Sequence, residues 1–100
     1  MSWVQDARTA LVRGERVKVR PHGGSMRGRI ESGQLVTLAP ATLAEVSVGD
    51  VVFVRWKKSF LLHLVKQIDG SRALIGNNVG KINGWVAADA VLARVVAVEP

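Results

Sequence analysis

The stretch VVFVRWKKSFLLHLVKQI, residues 51–68, constrains the fold more than any other part of the chain. Its β-branched and aromatic residues favour extended backbone, and neither face of VVFV is polar. Two runs, 51–57 and 60–68, meet across Lys57, Lys58 and Ser59, which is hairpin spacing. An antiparallel pair that is apolar on both faces needs cover on both. The pair therefore belongs to a coiled, partly closed sheet rather than to an open one with a wet side.

The rest of the chain supplies the cover and the other strands. Ser2 with Gln5 three residues later fits a helix N-terminus, and Trp3, Ala7, Ala10 and Leu11 recur on one helical face. Gly14 stands where a C-terminal cap is expected, so a helix is predicted over 3–13. Beyond it the period changes to two: Arg16-Val17-Lys18-Val19-Arg20 alternates and stops at Pro21. Further strands are predicted over 35–39, 72–76 and 91–98, with Gly49-Asp50 as a turn before the central pair. The segment GNNVGKINGW, rich in glycine and asparagine, reads as turns. The prediction is a mainly β single domain over 1–100, with one N-terminal helix and a β core of about six or seven short strands over roughly 16–98.

One hundred residues bury one modest core. With no cysteine, neither disulfides nor thiolate metal sites are available. No apolar run approaches the roughly 20 residues of a membrane span, and MSWVQDARTA lacks the features of a signal peptide, so a cytoplasmic protein is expected. The net charge is +6, and seven of the fourteen basic residues fall within the first 30 positions. No basic run reaches five residues and no aromatic residues interleave with the charges, so a solvated basic face accounts for them and nucleic acid is not the favoured partner.

Chemistry concentrates in HGGSMRGRI, residues 22–30. Ser25 has two readings, loop filler or nucleophile on a tight bend. The Gly23-Gly24 pair permits close approach of a substrate backbone, and the serine amide is a candidate oxyanion donor. Only two histidines are available as a base. On a strand, His63 shares a face with Leu61 and Val65, where desolvation favours the neutral form that a general base needs. The alternative for His63 is a core histidine bonded to a backbone carbonyl, and for His22 a solvated loop residue. No histidine and carboxylate cluster has metal-ligand spacing and no phosphate-binding loop is present, so neither metal nor cofactor is expected.

Taken in order, GGSMRGRIESGQLVTLAP, VSVGDVVFVRW, FLLHLVKQI, LIGNN and LARVVAV resemble the LexA-repressor and type I signal peptidase superfamily of serine peptidases, over residues 22–98. The resemblance implies Ser25 as nucleophile, Gly24, Ser25 and Met26 at the substrate and oxyanion site, and His63 as general base. Lysine fills that last role in LexA-like and bacterial signal peptidases, and histidine in the endoplasmic-reticulum and archaeal type. It implies structural parts for Gly49-Asp50 and for the closing strand at Arg94-Val95. The chain departs from the pattern at Gly28, where proline is usual, at Leu64, where arginine follows the base, and at Gly76-Asn77-Asn78, which lacks the turn carboxylate. Three functional readings follow: a Ser25–His63 serine peptidase acting on an extended peptide or protein segment, a non-catalytic peptide-binding module using Arg27 and Arg29, and a small basic nucleic-acid-binding domain.

Overall fold

A computed structural model describes residues 2–24 and 26–100. Helix α1, Trp3–Val12, opens the chain. Seven strands follow: β1 Val17–Val19, β2 Leu35–Pro40, β3 Val51–Trp56, β4 Ser59–Asp69, β5 Arg72–Gly76, β6 Ile82–Ala87 and β7 Val91–Glu99. They form one antiparallel sheet in the order β1-β2-β7-β3-β4-β5-β6. The mainly β architecture with a single N-terminal helix is the one predicted. The sheet does not close, since β1 and β6 stand at opposite edges. Among the described residues, no helix is long and apolar enough to cross a membrane.

The helix begins where Ser2 Oγ accepts from the Gln5 amide at 3.2 Å. It ends as Gly14, at φ +73°, takes the left-handed conformation that stops the coil. Ala7 is fully buried, and Trp3 meets Phe53 edge to face at 5.7 Å, so the predicted helical stripe does pack onto the sheet. Phe53 stacks in turn on Phe60 at 5.6 Å, tying α1 to β3 and β4.

The doubly apolar VVFV run is explained by two cores, one on each face of the sheet. Val51 and Phe53 join Val36, Leu38, Leu62 and Leu64 beneath α1. Val52 and Val54 join Val65, Ile75, Val86 and Val91 on the other face, covered by Leu43 and Val46 around a short 3-10 turn. The β3–β4 hairpin pairs Trp56 with Ser59, so its turn is the two residues Lys57 and Lys58. Lys57 takes φ +55°, as such a tight connection demands.

One sequence prediction is corrected. GNNVGKINGW is not all turns, because Ile82–Ala87 forms edge strand β6 against β5. The register there runs Ile75 with Gly84 and then Gly76 with Ile82, leaving Asn83 as the extra residue of a β-bulge. Glycine at 84 is required sterically, since a Cβ would lie 2.9 Å from the Trp56 ring that packs over it.

Candidate active site

Residues 20–33 form a loop tied across its base. Arg20 Nη1 donates to the Gly33 carbonyl (2.8 Å), the Gly33 amide to the Pro21 carbonyl (2.9 Å), and the Gly23 amide to Ser32 Oγ (3.2 Å). Beyond the base the chain makes one tight turn, in which the amides of Arg29 and Ile30 both donate to the Met26 carbonyl. Met26 and Ile30 are each 4 % exposed and belong to the core beneath α1, so the turn is anchored from below. Ser25 lies outside the described residues.

Gly28 accounts for the missing proline. Its φ is +94°, and its amide donates to Glu31 Oε2 at 2.8 Å. Proline has neither that dihedral nor an N–H, so a turn built this way excludes it. The arginines on either side are both exposed. The Arg27 guanidinium lies over Gly24, where an added Cβ would be 3.0 Å from Nη2. Arg29 Nη2 donates to the Gly49 carbonyl at 3.0 Å. Arg29 thereby links the turn to the Gly49-Asp50 corner, where Asp50 Oδ2 accepts from the Ser47 amide at 2.9 Å.

A cavity of about 200 Å³ opens beside this turn. Gly23 and Met26 line it from the loop, with His22 and Glu31, while Leu61, Leu62 and His63 line it from β4. Among the described residues, β4 is here paired on one side only. Residues 59–64 pair with β3, whereas β5 begins its pairing at Leu64 opposite Gly76. The two parts of the sequence that the resemblance connects, 37 positions apart at Met26 and His63, thus border one cavity. His22 is exposed, at the margin of the same space.

His63 is 7 % exposed and its Nδ1 is fully buried. Burial pulls its pKa below the ordinary imidazole range, the Asn83 side chain raises it as a hydrogen-bond acceptor for the ring, and the Lys81 cation lowers it. The net shift is downward, so the ring is neutral at physiological pH and holds a basic lone pair. Neither His63 Nδ1 nor Asn83 Oδ1 reaches full hydrogen-bond geometry, so the contact between them is looser than an ideal bond. No known protein family, curated protein or solved structure matches the chain.

The Gly76-Asn77-Asn78 corner carries no charged side chain and is tied to the Met26 turn. Asn77 Oδ1 accepts from the amides of Val79 (3.0 Å) and Lys81 (2.8 Å), which shapes the loop between β5 and β6. Asn78 Nδ2 reaches across to the Arg27 carbonyl at 2.7 Å, joining that loop to the Met26 turn. Sequence reasoning named Asn78 only as part of a corner lacking its carboxylate and missed Asn83, because composition assigned the whole segment to turns. The alternation in Ile82–Ala87, with Trp85 and Val86, was the available strand signal.

Proposed function

We propose that this chain is a serine peptidase of the LexA and signal-peptidase kind, cutting an extended peptide or protein segment with Ser25 and His63. The observation that carries the reading is the shared cavity: Gly23 and Met26, on either side of Ser25 in the sequence, and the buried His63 of β4 border the same space. The unpaired edge of β4 at residues 59–63 supports an extended substrate, since it offers backbone donors and acceptors beside the cavity. Ser25 Oγ attacks the scissile carbonyl while His63 takes its proton and then returns it to the departing amine. Water deacylates the enzyme by the reverse of those proton transfers. Backbone amides at Gly24 and Ser25 are the candidate donors to the oxyanion.

A fluorophosphonate probe tests this directly. Wild type is expected to be labelled at Ser25, with labelling abolished in Ser25→Ala and slowed on the order of a hundredfold or more in His63→Ala. A peptide library should show cleavage by wild type alone. Absence of both labelling and cleavage in wild type overturns the peptidase reading. Binding of an acidic peptide that depends on the exposed Arg27 and survives Ser25→Ala would instead favour a non-catalytic binding module.

A further inference from the structure

A histidine that acts as a base needs one ring nitrogen free for the proton in transit and the other held by a partner that fixes the tautomer. The family resemblance looks for such a partner as a carboxylate in the corner occupied here by Gly76-Asn77-Asn78, and that corner is already committed. Asn77 Oδ1 is taken by two backbone amides, and the Asn78 side chain is turned away to the Arg27 carbonyl. A different residue stands against His63. Asn83 is the unpaired residue of the β5–β6 bulge, and a bulge re-aims the side chain it carries. Packing holds this one in place, since the Trp56 ring lies on the neighbouring Gly84, where no side chain fits.

Burial makes the pairing specific. Among the described residues, His63 Nδ1 and Asn83 Oδ1 are the buried side-chain polar atoms without a formed hydrogen bond, and they belong to residues that face one another. They are complementary when His63 carries its proton on Nδ1, whereas the other tautomer would set two acceptors, Nδ1 and Oδ1, against each other.

We propose that Asn83 is the positioning residue of this site: through its side-chain oxygen it holds His63 in the Nδ1–H tautomer and leaves Nε2 as the basic nitrogen. The proposal rests on the peptidase reading for its purpose, but not for its chemistry. An amide is suited to the role because it orients the ring without the negative charge that would draw a proton onto it. Of the charged groups around the ring, Lys81 from the β5–β6 loop also disfavours protonation. Glu31 and His22 border the same cavity from the 20–33 loop. Arg94 lies two strands away in the row of Val52 and His63, and acts on Glu45.

The test is long-range ¹H–¹⁵N correlation NMR of the full ¹⁵N-labelled chain, with the His63 ring assigned by its loss in His63→Gln. The wild-type ring is expected to be neutral with its proton on Nδ1. Asn83→Ala should move the population toward the Nε2–H form and lower the His63 pKa further. Asn83→Asp should keep the Nδ1–H form and raise the pKa. Fluorophosphonate labelling of Ser25 should slow roughly tenfold or more in Asn83→Ala and recover at least in part in Asn83→Asp, with its pH midpoint displaced upward. A wild-type ring protonated on Nε2 overturns the proposal, as does an unchanged tautomer and pKa in Asn83→Ala. If Asn83→Ala does not fold, the wild-type tautomer and the Asn83→Asp titration decide it. If the tautomer and pKa behave as expected while wild-type Ser25 is never labelled, the positioning role stands and the peptidase reading falls.

Discussion

Replacing Gly76 by alanine probes the link between strand packing and the site, because this glycine is not at a positive φ and is required by space alone. A Cβ there would lie 2.5 Å from the Lys81 carbonyl oxygen, a backbone atom that cannot swing aside, and 2.9 Å from Lys66 Cε. Overpacking of this kind costs about 1–3 kcal/mol. Moving Lys81 away also breaks the 2.9 Å bond from the Asn77 amide to the same oxygen, a further loss of about 1 kcal/mol. Alanine returns about 0.4–1 kcal/mol by restricting the unfolded chain. The net destabilisation is therefore about 2 kcal/mol, or roughly 8–16 °C in Tm for a domain of this size. Urea titration followed by tryptophan fluorescence reads it, with Gly70→Ala as the comparison. Gly70 sits at φ +60° with nothing near its missing Cβ, so that variant carries only the left-handed strain of about 1 kcal/mol. Because the β5–β6 loop carries Asn78 to the Arg27 carbonyl, Gly76→Ala should also slow Ser25 labelling while Gly70→Ala does not. A Gly76→Ala protein as stable as wild type, with unchanged labelling, would refute the steric reasoning.

Three further outcomes are expected. Phe53→Ala removes a fully buried ring that bridges Trp3 and Phe60, and should cost about 3–5 kcal/mol by calorimetry or urea titration. The His63 pKa is lowered on folding, so the unfolded chain binds more protons in that window and stability falls as the pH drops below about 6.5 toward the lowered value. His63→Gln should flatten this part of the curve. At lower pH the Glu45 carboxyl, held below its ordinary range by the Thr42 amide and hydroxyl, loses its contribution as it protonates.

Periodicity and punctuation made most of the fold legible. The helix at Trp3–Val12 and the strands at Leu35–Pro40, Val51–Trp56, Ser59–Asp69, Arg72–Gly76 and Val91–Glu99 lie within a residue or so of their predicted bounds. Their signals are local: a capping serine, a stop glycine, β-branched runs and prolines. The double apolar pattern of VVFV also carried the demand for cover on both faces, which the two cores satisfy. Strand β6 was hidden because its glycine and asparagine have tertiary causes, the Trp56 ring over Gly84 and the bulge at Asn83.

By itself, the sequence determined the mainly β class, the helix and its stops, and the two residues proposed for the chemistry, since each depends on neighbours a few positions away. Only the tertiary structure decided what surrounds them. Met26 and His63 border one cavity because the 20–33 loop is pinned by buried Met26 and Ile30 beside the unpaired edge of β4. Arg27 and Arg29, which sequence could only mark as charged, divide between the space over Gly24 and the Gly49 carbonyl. Asn83 comes to His63 through a register slip between β5 and the edge strand β6. A slip of that kind is settled by packing across the sheet, and no local pattern of residues records it.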